Sequence, residues 1–392
     1  MLIARQMEAA MRASAEEYPV LTVVGPRQSG NTTLVRTLFP SKPYQTLETP
    51  STRLRAESDP QGFLASFPDG AILDEVQRVP SLLSYIQGIV DEKNRNGLFV
   101  LTGSANLLLM QNVSQSLAGR CAVFTLLPFS LAEAAGVLPS DSPLSAILCG
   151  GYPRLLVRGM GRPRFFANYI DTYVERDIRQ LLNIKNTLLF SRFLRLLSGR
   201  VGSLLDRTSL ANDCGISTKT VAEWFSVLQA SSICFLLPPW HDNRGKRLVK
   251  TPKIYFHDTG LACALAGIET ERQLERDPLR GGLFENLIVL EALKRALNAG
   301  RKPDLYFYRD ANGVEIDLVE QRAGCLHPVE IKSSATFHPD FCKSLFTFAA
   351  RHPGRCDSPS LVYGGRERFI HKGVSVLPFA NAFPPLSEAP DA

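Results

Sequence analysis

The chain has 392 residues, is 45% hydrophobic and 21% charged, and carries a formal net charge of +6. Such a length allows two or three domains, and this balance of apolar and charged residues excludes global disorder. No apolar run approaches the roughly 20 residues of a membrane span, and the leader MLIARQMEAAMRASAEEYPV carries acids instead of an unbroken apolar core, so neither a spanning helix nor a secretory signal is expected. Eight scattered cysteines without a CxxC pair argue against a zinc site or a disulfide framework and point to a reducing cytoplasm. Mild basicity permits a nucleic-acid partner without demanding one.

In chain order, the pattern predicts a leader helix over about 2–17, then a buried strand VLTVVG (20–25) ending at glycine. Two further apolar runs follow, GAILDEV (70–76) ending in two acids and LFVLTGS (98–104) ending in Thr-Gly-Ser. Helical spacing separates them, as in SLLSYIQGIVDEK (81–93). Strands alternating with helices predict a parallel sheet covered on both faces. The segment 154–260 reads as mostly helical, with amphipathic stretches at 165–182 and 191–202, two short helices around Cys214-Gly215-Ile216, and two strands (233–239 and 252–258) around a basic turn. A helix over 283–297 and strands over 305–310, 314–320 and 327–334 follow, and the proline-rich tail is expected to fray. The expected fold class is therefore α/β, with a parallel-sheet domain (1–150), a helical region (151–265), a second α/β domain (266–375) and a tail (376–392).

Residues 25–33, Gly-Pro-Arg-Gln-Ser-Gly-Asn-Thr-Thr, follow a strand and open a helix, the context of a phosphate-binding loop GxxxxGK[ST]. Glycines let backbone N–H groups curl around phosphate oxygens, and the helix start adds positive potential. Gly25, Gln28, Ser29, Gly30, Asn31, Thr32 and Thr33 would line such a loop, with the Thr32 hydroxyl placed for Mg²⁺. Asn31 stands where the motif has lysine, and its amide carries no charge. Further on, Asp74 would hold Mg²⁺ through water, and Glu75 would polarise the attacking water. At the third strand end, Ser104 and Asn106 either orient water beside the γ-phosphate or cap a helix.

Residues 208–232 fit a helix-turn-helix, with Gly215 in the turn and Ser217 or Thr218 capping the second helix. The hairpin behind it would be a wing with the basic tip Asn243-Arg244-Gly245-Lys246-Arg247. In a DNA-binding winged helix the second helix enters the major groove and the wing contacts phosphates, which nominates Lys219, Arg244, Lys246 and Arg247. The same module also serves as a packing element, and Trp224 and Phe225 belong to its core.

Near the C-terminus, Glu285 lies on a helix, Asp317 in the strand VEIDLVE, and Glu330-Ile331-Lys332 in the next strand. Period two puts Glu315 and Asp317 on one face and Glu330 and Lys332 together on theirs. This is the PD-(D/E)xK nuclease pattern. Asp317 and Glu330 would bind Mg²⁺, and Lys332 would position or deprotonate water. The alternative is an edge hairpin with solvated charges. His257 and His327 are read as structural or surface residues.

GPRQSGNTTLV, ILDEVQRVP, LTGSANLLL and SLAGR together resemble a family of bacterial and archaeal AAA-type ATPases. The resemblance runs from residue 1 to about 375. It implies an ATPase domain, a winged helix and a C-terminal domain of unknown function with a PD-(D/E)xK nuclease-like fold. It also implies ATP and Mg²⁺ at Gly25, Gly30, Thr32, Thr33 and Asp74, catalysis by Glu75, and a γ-phosphate contact from Arg120. AAA-type proteins commonly form rings, so a homo-oligomer acting on double-stranded DNA is expected. With Asn31 in place of lysine, weak ATP binding and near-background hydrolysis are expected. The alternative function is an inactive, nucleotide-responsive DNA- or protein-binding scaffold.

Overall fold

The computed structural model describes residues 2–104, 113, 115–139, 141–175, 186–241 and 251–383. Its chain divides into two compact units, one of residues 1–129 with 227–232 and 296–301, the other of 130–226, 233–295 and 302–392. Among the described residues no helix is long and apolar enough to cross a membrane.

In the first unit, β1 (Val20–Gly25), β2 (Tyr44–Thr46), β3 (Ile72–Asp74), β4 (Phe99–Ser104) and β5 (Cys121–Thr125) form one sheet in the order β2-β3-β4-β1-β5, parallel throughout. Every residue of β1 is buried, as a central strand covered on both faces requires. Alternation divides its side chains. Leu21 and Val23 pack with Met11, Leu34, Val35 and Leu38, from the helices Glu8–Glu17 and Asn31–Leu38. Val20 and Val24 share the opposite core with Leu82, Leu83, Ile86 and Val90 of the helix Leu82–Lys93. β3 is shorter than its apolar run because Glu75 takes a left-handed φ of 58° and starts a tight turn at Val76–Arg78. The leader helix starts at Glu8, whose carboxylate accepts the Arg5 backbone N–H. All five strands end at the same edge of the sheet, where open α/β sheets bind ligands.

In the second unit, the stretch expected to be one amphipathic helix over 165–182 is the helix Arg162–Tyr169 followed by a wider π-type turn, Ile170–Glu175. Its remainder, 176–182, lies outside the described residues. The helices Thr187–Ser198, Arg207–Cys214 and Thr218–Ala230 follow. Gly215 (φ 73°) turns the chain between the last two, and the Ser217 hydroxyl accepts the Thr220 N–H at 3.0 Å. Trp224 stands edge-on to both Phe190 and Phe193, with centroids 5.2 and 5.3 Å away. β6 (Cys234–Leu237) and β7 (Lys253–Phe256) then pair antiparallel.

The last sheet has the order β12-β13-β11-β10-β9-β8. Its strands are β8 (Leu305–Arg309), β9 (Glu315–Arg322), β10 (Cys325–Lys332), β11 (Ser360–Tyr363), β12 (Phe369–His371) and β13 (Val374–Pro378). The helix Arg280–Asn298 precedes it in sequence, and the helix Lys343–Arg351 joins β10 to β11, which run parallel. Ile316, Val319, Leu326, Leu345, Phe348, Leu361 and Val376 form its core. The stretch expected to fray, from 376, begins within β13. β13 pairs with β11 through Pro378 and with β12 over Val374–Val376, with Val374 and Val376 buried.

Candidate functional site

The first site forms at the ends of β1, β3 and β4. Gly25 closes β1, and a Cβ there would stand 2.2 Å from the Leu126 carbonyl oxygen, so no larger residue fits. Gln28 (φ 65°) and Gly30 (φ 100°) are both left-handed. Such turns gather successive amides toward one side, ahead of the helix that Asn31 opens. Ser29 is fully buried, and Gln28 and Thr33 are exposed. Asn31 joins the loop to its neighbour strand. Its Oδ1 accepts the Ser29 hydroxyl at 3.1 Å, and its Nδ2 donates to the Gly103 carbonyl at 3.5 Å.

Asp74, buried at the end of β3, is the hub. It accepts the hydroxyls of Thr32 at 3.1 Å, Tyr44 at 2.7 Å and Thr102. Burial, reinforced by Asp74, pushes the Tyr44 phenol up to about 12. Thr32 and Asp74 thus meet at one point, as a Mg²⁺ ion held by few protein oxygens needs. Glu75 follows in a left-handed conformation, which costs a non-glycine residue about 1–2 kcal/mol. Burial and then the Asp74 charge push its carboxyl up, against Arg27 and a Gln77 hydrogen bond.

Two residues of this site had no motif to mark them, Arg5 and Tyr44. The Arg5 guanidinium donates to the carbonyls of Ser29 (2.9 Å) and Leu127 (2.6 Å) and lies 4.8 Å from the Phe129 ring centroid. Its one signal was a cation amid the apolar residues of LIARQM. Arg120 lies apart from the loop. Its carbonyl accepts the N–H of Val20, at the opposite end of β1 from the loop, and its guanidinium pairs with Asp91. Within one chain it does not meet a nucleotide at this loop. The Ser104 side chain, Asn106, Arg244, Lys246 and Arg247 lie outside the described residues, and Lys219 is exposed, 4.0 Å from Glu223.

The second cluster lies in the C-terminal part of the second unit and brings Glu285, Asp317, Glu330 and Lys332 together. Lys332 Nζ is 2.6 Å from Glu330 Oε1 and 3.6 Å from Asp317 Oδ2, and that oxygen also accepts the Ile331 N–H at 2.8 Å. A residue the motif does not contain enters from β7. Lys253 Nζ lies 2.7 Å from Glu315, 2.8 Å from Glu285 and 3.8 Å from Asp317. Tyr255 donates to the same Glu285 oxygen at 2.6 Å. Asn286 fixes β7 to the helix by accepting from the Phe256 N–H (2.7 Å) and donating to its carbonyl (2.8 Å). Burial opposes the Lys253 charge, but Glu285, Asp317 and Glu315 outweigh it and hold its pKa above the ordinary lysine value. Burial and then Asp317 push Glu285 up to about 7 and Glu330 up to about 8, against the nearby lysines. Among the described residues no three His, Cys, Asp or Glu side chains are arranged to hold a metal ion.

A glycine-turned loop before a helix, an aspartate hub at a neighbouring strand end and a parallel sheet define a P-loop domain of the AAA type. Comparison with known proteins agrees. A family model described as an AAA domain matches residues 17–135, and models of two domains of unknown function, DUF8612 and DUF4143, match 143–272 and 280–382. Over 385 residues the chain is 32% identical to uncharacterized protein Rv2008c of Mycobacterium tuberculosis, covering 94% of this chain and 82% of the relative. Uncharacterized protein Mb2031c of Mycobacterium bovis matches with the same figures. The chain belongs to the family of these AAA-domain proteins. Among solved structures, a Walker-type ATPase of Pyrococcus abyssi is similar at 16% identity and TM-score 0.45, over 66% of this chain and 94% of that one. RuvB of Thermotoga maritima is similar at 20% identity and TM-score 0.30, over 59% and 88%. These two likenesses are remote, and the assignment rests on the family model and the mycobacterial relatives.

The raised carboxyl pKa values have a consequence for stability. A folded-state pKa above the unfolded value near 4.3 means the fold favours the protonated acid, so its contribution is lost as pH rises toward about 8. The two lysines titrate above this window. Thermal unfolding followed from about pH 5 to about pH 8.5 is expected to show wild type losing stability relative to Glu330→Gln as pH rises. A difference that is flat or of opposite sign contradicts the assignment.

Proposed function

We propose that this chain binds ATP with Mg²⁺ at the loop of its AAA domain, hydrolyses it slowly, and couples nucleotide occupancy to contact with double-stranded DNA. The observation that carries the reading is the neutral Asn31 amide, tied to Ser29 and Gly103 where a phosphate-binding lysine would stand. Gly25, Gln28, Ser29 and Gly30 would receive the phosphates through backbone N–H groups, with Thr33 just inside the helix. Thr32 and Asp74 would hold Mg²⁺, which neutralises phosphate charge when bound. Glu75 would accept a proton from water, and its raised pKa makes it a better base than an exposed carboxylate. On this reading loop, metal pair and base are in place, and one positive charge is missing. Arg120 would reach a nucleotide only in a neighbouring copy, after leaving Asp91, which makes a homo-oligomer part of the reading. Eight free thiols support a reducing, cytoplasmic setting.

The DNA part rests on the order of helices Thr187–Ser198, Arg207–Cys214 and Thr218–Ala230 followed by the β6–β7 hairpin, the order of a winged helix. Lys219 is exposed at the start of the helix that would enter the groove. A second reading, a Mg²⁺-dependent DNA nuclease of the PD-(D/E)xK type, is favoured by the meeting of Glu285, Asp317, Glu330 and Lys332. Under it, Mg²⁺ or Mn²⁺ supports cleavage of plasmid DNA and Lys332→Ala abolishes it. Without cleavage the domain is a scaffold.

Wild type is expected to turn over ATP near background, and Asn31→Lys is expected to raise turnover by about 100-fold or more, the scale of one charge-stabilising donor. Wild-type turnover at ordinary AAA rates sinks the reading. For DNA, affinity is expected to fall with salt, and Lys219→Ala, Arg244→Ala, Lys246→Ala and Arg247→Ala each to reduce the logarithmic salt slope by about one. An unchanged slope in the combined variant removes this surface from the interface.

A further inference from the structure

The buried ammonium of Lys253 takes up the oxygens that a divalent ion would need. It reaches Glu315 at 2.7 Å, Glu285 at 2.8 Å and Asp317 at 3.8 Å, with its side chain 6% exposed. Its Nζ also stands 5.5 Å from the Phe307 ring centroid, whose face favours a cation. This lysine does not dangle from a loop. Its residue pairs with Leu237 in the hairpin and bridges to Leu204, while Ile254 donates to the Ser203 carbonyl at 3.0 Å. Asn286 clasps the same strand at Phe256. Backbone on both sides therefore fixes where the ammonium lies.

A Mg²⁺ or Mn²⁺ ion requires oxygens near 2.1 Å in a nearly octahedral shell. Each carboxylate that would supply them already has one oxygen engaged. Glu285 Oε1 serves Lys253 and Tyr255, Glu315 Oε1 serves Lys253, and Asp317 Oδ2 serves the Ile331 N–H. Glu330 Oε2 is a buried oxygen with no hydrogen-bond partner, on a residue 6% exposed. An ion on the shared oxygens would have to stand beside a buried positive charge and compete with it for the same lone pairs. The donor set, with Lys253 in place, does not fit a divalent ion.

We infer that Lys253 is a built-in cation that replaces the metal ion of this nuclease-like centre, making the cluster a metal-independent clamp between β7, the helix Arg280–Asn298 and β9. The inference rests on the nuclease-like arrangement of the second reading and decides against metal in it. It leaves the nucleotide reading untouched.

The test is Mn²⁺ binding by the full-length protein without nucleotide, followed by calorimetry and by the electron paramagnetic resonance signal of free Mn²⁺. Wild type and Asp317→Asn are expected to bind Mn²⁺ alike, so that any weak binding elsewhere, including at Thr32 and Asp74, is common to both. Lys253→Met is expected to gain one site, at least tenfold tighter than anything in wild type, and Lys253→Met combined with Asp317→Asn to lose it. A site in wild type that disappears in Asp317→Asn overturns the inference. So does a folded Lys253→Met protein that gains no site. If Lys253→Met does not fold, the comparison of wild type with Asp317→Asn still decides. DNA cleavage is scored separately. Its absence fails the nuclease reading alone, whereas Asp317-dependent Mn²⁺ binding by wild type fails the lysine inference alone.

Discussion

Burying one lysine ammonium orders the C-terminal part of the second unit. An ion taken out of water costs several kcal/mol unless opposite charges and hydrogen bonds replace its hydration. Lys253 meets that demand from two elements at once. Glu285 comes from the helix Arg280–Asn298, while Glu315 and Asp317 come from β9, two residues apart and so on one face. Tyr255, two residues along β7 from Lys253, reaches the same Glu285 oxygen. The helix cannot slide along the strand without unpairing a charge, and removing a single partner would leave another buried and uncompensated. Four carboxylates exceed the two ammoniums there, and the fold meets the excess by favouring protons on Glu285 and Glu330.

The two sites of the chain differ in where they place a positive charge. At the loop a lysine position holds Asn31, so the N-terminus of its helix is the main positive feature facing an incoming phosphate. Arg5 does not make up the loss, because its guanidinium is occupied with the carbonyls of Ser29 and Leu127. At the acidic cluster a buried lysine from β7, Lys253, stands among the carboxylates. At both sites the surrounding frame is well formed. Gly25 still cannot carry a side chain, Thr32 still meets Asp74, and Asp317 still lies against β10. Backbone geometry and metal or phosphate chemistry are thus separable here, since the frame is held by glycines, buried strands and backbone hydrogen bonds that need no ligand.

This separation explains what the sequence made legible. β1 and the loop were readable because a β-branched apolar run, a glycine and a helix start occupy one continuous stretch, and each obeys a local rule. Asp317, Glu330 and Lys332 were readable because a period of two fixes faces within a strand. Lys253 and Tyr255 were not, because their partners lie 30 or more residues away, on a helix and strand of another element, and no local period links them. Arg5 was hidden for the same reason, since its acceptors are Ser29 and Leu127. The place of Arg120 was not legible, because a motif fixes its position in sequence but not the edge of the sheet on which β5 begins. The expected helix over 165–182 followed its apolar spacing, yet the chain widens after Tyr169, where backbone geometry departs from the α period that the spacing assumes.

The net charge of +6 is less informative than its distribution. Between Arg154 and Arg207 the sequence has eleven Lys and Arg against four Asp and Glu, which leaves the rest of the chain nearly neutral. Arg154, Arg158, Arg164, Arg192, Arg195 and Arg207 are exposed, on helices whose inner sides bury Phe165, Phe166, Phe190, Phe193 and Leu197. Arg200 is different, since Asp213 and Ser209 engage it. At physiological salt an exposed charge acts over about 8 Å, so a local concentration matters where a total does not. Amphipathic helices place such charges outward for a packing reason alone, and phosphate contacts of this kind supply affinity without reading sequence. At the start of the helix Thr218–Ala230 Lys219 is likewise exposed, while Trp224 anchors that helix in its core against Phe190 and Phe193.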